Sequence, residues 1–230
     1  DPASVRVALV RPFPEVSESL DCDPPSTLPP FEPSWTVAPQ AWVPIVTQPD
    51  VSQNHPAPRH MRLMRWGFRP SWAQPSSREP INARSETAHE KPMFQSARRH
   101  RRGLLPVDGW YEWMTTPQGK VPWYHYNMKG RLSYMAVIFD RWSDGENMIE
   151  SYAILTRDSN EDCQPVHHRM PVLVHPNHTE AWLVQGTLPP VTERGVVDRH
   201  AVSRDVNHAQ HDHAGLIQPL ATLFDQEYGV

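Results

Sequence analysis

Short apolar runs bounded by proline, glycine and polar residues recur along the chain, and sustained helical periodicity is scarce. Residues 5–10 alternate as a strand would, although the same spacing fits a short helix. A proline-rich loop at 22–33 precedes Trp35-Thr36-Val37-Ala38-Pro39, which leads into a strand at 42–46. A polar loop at 48–59, a strand at 61–68 and a loop at 70–80 then deliver Ile81-Asn82-Ala83-Arg84. Residues 86–99 carry the first helical segment, with Phe94 as its anchor and Pro92 as an interruption. Strands follow at 104–113, 121–126, 132–139 and 151–156, with turn signals at 117–119, 128–130 and 143–145. Residues 171–174 form a short strand, 178–184 a short helix, and the last strand lies at 200–203. The expected fold class is α+β, mainly antiparallel β: a curled sheet closing into a barrel with short peripheral helices, as one domain spanning 1–230.

The stretch Val107-Asp108-Gly109-Trp110-Tyr111-Glu112-Trp113 concentrates three large aromatics around one carboxylate. On a strand, Tyr111 and Trp113 share one face while Trp110 and Glu112 share the other. A carboxyl packed against indole has its pKa raised and becomes a usable acid or base near neutrality. A strand-end glutamate reaching back to solvent is the competing reading of this residue alone.

Composition narrows the classes. The 26 prolines are about twice the average share and fit a loop-rich β fold. No apolar run approaches the roughly 18 residues of a membrane span, and no signal-peptide pattern is recognised. Cys22 and Cys163 match no metal-knuckle spacing and suggest no disulfide scaffold, so an intracellular, reducing compartment is expected: cytoplasm, nucleoid or nucleus.

The net charge of −4 is unevenly spread. Between Arg59 and Arg102, eleven Lys or Arg face only Glu79, Glu86 and Glu90, a local balance of +8 that leaves −12 elsewhere. Basic residues interleaved with Trp66, Phe68 and Trp72 are the pattern of a surface that follows phosphates and stacks bases. A merely solvated basic face competes with that reading.

Other candidates are Asn82, whose amide could orient a substrate, and His167-His168-Arg169-Met170-Pro171. On an extended segment only one of those two histidines faces a site. His208, His211 and His213 have ligand chemistry, but Asp212 is the one carboxylate among them and no cysteine is near. No metal or cofactor is assigned, and a metal-dependent hydrolase rests on that cluster alone.

Four motifs in order resemble the SRAP family (SOS-response-associated peptidase): Trp66-Gly67-Phe68-Arg69-Pro70-Ser71-Trp72, Ile81-Asn82-Ala83-Arg84-Ser85-Glu86-Thr87, Asp108 to Trp113, and His167 to Pro171. Val37-Ala38-Pro39 and His200-Ala201-Val202-Ser203 with Val206-Asn207 are similar to the family's early and closing segments. The resemblance runs from about 35 to 219. It implies a pseudo-barrel with a basic groove that senses abasic sites in single-stranded DNA. A monomer is expected, with no cofactor and no membrane association. The resemblance also implies covalent capture: an N-terminal cysteine contributes an α-amine and a thiol that close a thiazolidine on the open sugar aldehyde. Lyase and self-cleaving peptidase activities come with the family. By motif, Asn82 positions the sugar, Glu112 is the acid/base, and His167 matches the family histidine better than His168. Arg84, Trp72, Trp113, Thr87 and Arg69 are the DNA-binding candidates.

Two departures stand out. The family's opening Met-Cys-Gly-Arg is absent, and Trp35-Thr36 replaces its Tyr-Asn. A start at Asp1 is read as an upstream segment missing from the chain. The alternative is a single-stranded DNA-binding module that lacks the nucleophile.

Overall fold

The apolar run at 104–113 is divided at Asp108, where the chain passes from one sheet into another. The computed structural model describes residues 5–23, 32–49, 57–74, 78–208 and 210–220. Among these, the strands in order are β1 (Arg6–Leu9), β2 (Cys22–Asp23), β3 (Ser34–Val37), β4 (Trp42–Thr47), β5 (Arg59–Trp66), β6 (Asn82–Arg84) and β7 (Arg102–Val107). Then come β8 (Gly109–Thr116), β9 (Gly119–Asn127), β10 (Ser133–Ser143), β11 (Met148–Asp158), β12 (Arg169–Pro171) and β13 (Val197–Ala201). Two α-helices accompany them, α1 (Phe13–Leu20) and α2 (Gln95–His100).

The first sheet runs β13-β9-β8-β1-β3. The second runs β12-β11-β10-β7-β4-β5-β2, with β6 added alongside β11. A parallel pairing of β11 with β5, Ser151 opposite Arg65 and Tyr152 opposite Trp66, closes β5-β4-β7-β10-β11 into a five-stranded barrel. Most other pairings are antiparallel, as the short turns between consecutive strands require. The expected fold class is therefore observed.

Alternating side chains sort into three apolar layers. Val16 and Leu20 of α1, Phe94, Leu104, Ala136 and Trp182 pack on one side of the second sheet. Val7, Trp110 and Val197 of the first sheet meet Met64, Tyr152 and Ile154 of the second in a layer between the sheets. Tyr111, Trp113, Tyr124, Val206 and Leu216 cover the outer face of the first sheet. Each such side chain withdrawn from water contributes about 1.5–3 kcal/mol, so β8, buried on both faces, is fixed in register.

The corner at Asp108 has a simple cause. Its carboxylate accepts the backbone N–H groups of Val10 (2.7 Å) and Arg11 (3.2 Å) and pairs with the Arg11 guanidinium at 2.8 Å. Gly109 follows because a Cβ there would lie 2.4 Å from the His125 carbonyl oxygen and the Tyr124 ring.

Several elements differ from expectation. Residues 13–20 form α1 although prolines flank its start; Pro14 sits in the first turn, where its missing N–H costs nothing, and buried Val16 and Leu20 with partly buried Phe13 supply the apolar stripe. The segment at 86–99 is helical only over α2. Upstream, Pro92 breaks the ladder into successive tight turns, while Phe94 is buried edge-on to Phe68 as an anchor should be. Residues 178–184 give a 3₁₀ turn (Pro176–His178) and a π turn (Ala181–Gln185). The last strand begins earlier, at Val197. Parts of the three expected loops, at 24–31, 50–56 and 75–77, lie outside the described residues. Among the described residues no helix is long and apolar enough to cross a membrane.

Candidate functional site

Glu112 lies in the middle of β8 and is 8 % exposed. Cross-strand pairing sets its surroundings: Glu112 faces Trp123 and Trp110 faces His125 on β9, and His125 in turn faces Arg199 on β13. Because paired residues share a face, Trp110, Glu112, Trp123, His125 and Arg199 all project into the layer between the sheets. Trp110 stacks on His125 with centroids 5.2 Å apart and planes 15° apart. Tyr111 and Trp113 point the other way.

Burial governs the ionisation of this layer. Glu112 accepts no hydrogen bond among the described residues, and loss of water pushes its carboxyl up to about 8. Burial first, and the Arg199 charge second, hold His125 down to about 3, so its ring is neutral. Burial, Asp162 and Glu112 push the Cys163 thiol up to about 12, and burial also raises Cys22. Neither cysteine is a thiolate at neutral pH.

Asn82 enters the same layer from the second sheet. It pairs with Ile154, whose side chain belongs to the inter-sheet core, whereas Ala83 and Leu155 face the helix side. The Trp-Gly-Phe motif braces it. Trp66 Nε1 donates to the Ile81 carbonyl at 3.0 Å, and Phe68 N donates to the Pro80 carbonyl at 2.9 Å. Asn82 Oδ1, Trp110 Nε1, Trp123 Nε1 and His125 Nδ1 are buried without a hydrogen-bond partner. Such groups cost about 1–3 kcal/mol each; a polar ligand entering the layer would recover that cost.

His167 is half-buried and His168 exposed, with ring centroids 4.6 Å apart. His167 Nδ1 lies 3.1 Å from both the N and the O of Arg169. Nδ1 either accepts the Arg169 N–H or donates to the Arg169 carbonyl, according to the tautomer, and both contacts hold the ring in the same orientation. His167 is near enough to His125 for their charges to interact.

Arg169 ties the two motifs together. It grips Glu86 through both guanidinium nitrogens (2.8 and 2.9 Å) and reaches Asp158 at 2.6 Å and the Thr156 carbonyl at 2.8 Å. The Arg169 hydrogen bonds hold the Glu86 carboxyl below the usual carboxylate range. Arg169→Lys keeps the charge and loses the two-pronged grip. It is expected to cost about 1–2 kcal/mol and lower the thermal midpoint by about 2–8 °C. An unchanged midpoint in calorimetry would refute this tie.

The remaining candidates separate into two groups. Trp72 is 61 % exposed, held outward by Ser71 N donating to Asp140 (3.0 Å) and by the turn Ala73 N to Pro70 O. The Arg84 side chain is exposed with no hydrogen bond or ion pair among the described residues, and Thr87 Oγ1 is buried without a partner. Arg69, by contrast, pairs with Glu79 at 2.5 Å and lies 4.5 Å over the Trp142 ring. Trp113 is buried on the far face of β8, its indole donating to Asn207 at 2.8 Å.

The basic run is also largely engaged. Arg59, Arg62, Arg65, Arg69, Arg98, Arg101 and Arg102 all have intramolecular partners, Arg102 holding the carbonyls of Trp182, Leu183 and Val184. Among the described residues, Arg78, Arg84, Lys91 and Arg99 retain side chains without a hydrogen bond or ion pair. A separate apolar hollow lined by Leu132, Tyr134, Leu173, His178 and Pro189 contains none of the candidates. His125 and Arg199 were missed in the sequence. Their signal is strand pairing, which local periodicity does not reveal.

Fold and site together define a mainly antiparallel barrel protein with an ionisable layer between its two sheets. The pattern of the SOS response associated peptidase (SRAP) family matches residues 4–209, and the chain belongs to this family. It is 28 % identical over 226 residues to a protein of Bacillus subtilis named abasic site processing protein YoqW, covering 93 % of this chain and 98 % of that one. It is 28 % identical to the abasic site processing protein HMCES of Gallus gallus, covering 83 % and 67 %. A solved structure from Bacteroides thetaiotaomicron shares the fold with a TM-score of 0.78 at 22 % identity, covering 94 % of this chain and 99 % of that one.

Proposed function

We propose that this chain, acting as one domain, processes abasic sites in single-stranded DNA, with Glu112 as the acid/base. The observation that carries the reading is a carboxyl raised to about 8 in the layer that Asn82 enters from the opposite sheet. Near neutrality Glu112 holds its proton and can give it to the sugar ring oxygen as the C1′–O4′ bond breaks, while the anomeric hydroxyl gives its proton to water and becomes the aldehyde. Asn82 Oδ1, buried and unpartnered, accepts from a sugar hydroxyl. His167 exchanges protons through Nε2 while the Arg169 backbone fixes Nδ1.

Capture is then covalent. The α-amine of an N-terminal cysteine attacks C1′, water leaves as the imine forms, and the thiol adds to that carbon to close a thiazolidine. The same imine allows strand elimination, which is the lyase activity; self-cleaving peptidase activity is proposed by family membership alone. The alternative is a binding-only module; both cysteines within residues 1–230 are buried with raised thiols, so neither thiol supplies the nucleophile. The mature N-terminal residue decides between the two.

DNA contact is assigned to the exposed Arg84 and Trp72 and to the half-buried Thr87, whose hydroxyl lacks a partner, while Arg69 and Trp113 support the scaffold. Affinity for an abasic single-stranded oligonucleotide, followed by anisotropy, is expected to fall steeply with salt. Arg84→Ala should flatten the log–log slope by about 0.7, the loss of one phosphate contact, and Trp72→Ala should weaken binding by about 1–3 kcal/mol. An affinity indifferent to salt would overturn the reading.

A further inference from the structure

The C-terminal segment on the outer face of the first sheet carries ligand chemistry that the reaction above does not use. Asp205, His211 and His213 each present one ligand atom, all within 4.8 Å of one another, and all three side chains are exposed. Their neighbours fix the arrangement. Ser203 Oγ accepts the Asp205 N–H at 3.1 Å, capping a 3₁₀ turn (Arg204–Asn207) whose Val206 is buried and whose Asn207 accepts from Trp113. On the other arm, Asp212 accepts the Trp35 backbone N–H at 2.6 Å, pinning the chain between the two histidines. The His208 ring packs against His211 at 5.0 Å. Gly215 leaves room for His213, since a Cβ there would meet His213 Nδ1 at 2.9 Å. The carboxylate nearest the histidines in sequence, Asp212, is thus engaged elsewhere, and the fold supplies Asp205 instead.

We propose that Asp205, His211 and His213 form a Zn²⁺ site that staples the turn at 204–207 to the turn at 214–217 across the outer face of β8 and β9. Two imidazoles and one carboxylate, with solvent completing the shell, suit a borderline divalent ion. Tetrahedral ligation at about 2.0–2.1 Å needs ligand atoms about 3.4 Å apart. Rotamer changes of exposed side chains suffice to draw them in from 4.8 Å. The site is structural: it lies on the opposite face of β8 from Glu112 and does not depend on the proposed DNA chemistry.

The test is calorimetric titration of the whole chain with ZnCl₂, alongside Co²⁺ absorption spectra and thermal melts. One ion per chain, a tetrahedral Co²⁺ band and a thermal midpoint raised by Zn²⁺ are expected. Asp205→Asn, His211→Ala and His213→Ala should each weaken binding by about tenfold or more. The double variant His211→Ala/His213→Ala should lose both the binding and the Zn²⁺-dependent melting shift. Because these side chains are exposed, the metal-free midpoint should stay at the parent value. Parent-like affinity in the double variant would place the ion on other histidines and overturn the proposal, as would the absence of any binding heat at about 100 μM Zn²⁺.

Discussion

Glu112→Gln is expected to give a protein that is more stable than the parent and nearly inactive. The parent carboxyl titrates at about 8 in the folded chain and at its ordinary 4.5 in the unfolded one. Between those values the folded state binds the extra proton, so parent stability falls as pH rises from about 4.5 through 8. Glutamine is isosteric with the protonated acid and does not titrate. The variant's advantage should therefore be near zero below pH 4.5 and grow to a few kcal/mol above pH 8, at about 1.4 kcal/mol per unit. For a chain of this length that is about 10 °C in the thermal midpoint at alkaline pH. Activity moves the opposite way: losing a positioned general acid should slow borohydride-trapped imine formation on an abasic oligonucleotide by about 10²–10⁴-fold. Melts at pH 5, 7 and 9 with single-turnover trapping make the measurement. A variant that traps imine at the parent rate would remove Glu112 from the mechanism. A variant whose stability tracks the parent at every pH would show that Glu112 is hydrated.

That combination has a general cause. A carboxyl between Trp110 and Trp123, with no hydrogen bond to accept, is a poor choice for stability and a good one for proton transfer near pH 7. Its cost is borne by the surrounding layers, which bury β8 on both faces. The orphaned atoms of Asn82, Trp110, Trp123 and His125 in the same layer follow the same logic.

How much of this was legible depended on whether the signal was local. The faces of β8 follow from the period of two, and the structure places Trp110 with Glu112 and Tyr111 with Trp113 as that period requires. The corner at Asp108 was not legible, because it is set by the backbone of Val10 and Arg11, about 97 residues away. The helix at 13–20 was hidden by prolines that read as loop until its apolar Phe13–Val16–Leu20 spacing is counted. Charge counting overstated the free basic surface. Arg102 and Arg98 look like a phosphate-binding run in the sequence, yet Arg102 holds carbonyls of the turn at 181–185 and Arg98 holds the carbonyl of Gly186 that caps it. His125 and Arg199 escaped notice for the reason that they meet across a strand pair whose members are 74 positions apart, in the Arg199–His125 register.

The largest expected effect concerns the covalent step. A polypeptide that begins at Asp1 is expected to bind abasic single-stranded DNA without forming a heat-stable adduct, and one extended upstream to carry Met-Cys-Gly-Arg and a linker is expected to form it. The chemistry decides this. A thiazolidine needs an amine and a thiol on adjacent carbons, which only a cysteine exposed at the N-terminus by removal of methionine provides. The Asp1 α-amine, with an ordinary pKa of about 8, can condense with the aldehyde, but the resulting imine hydrolyses or drives strand elimination. Cys163 cannot stand in, since burial and the nearby Asp162 and Glu112 carboxylates push its thiol up to about 12. Cys22 is likewise buried with a raised thiol. Run on a denaturing gel after heating, the extended polypeptide should give a shifted band without reductant. The Asp1 polypeptide should give one only after borohydride, together with cleaved strand. Replacing the terminal cysteine by serine in the extended form should return it to the Asp1 pattern, because serine keeps the amine and loses the thiol. A heat-stable band from the Asp1 polypeptide without reductant would mean that a side chain within residues 1–230 is the nucleophile, and the thiazolidine mechanism would be wrong for this chain.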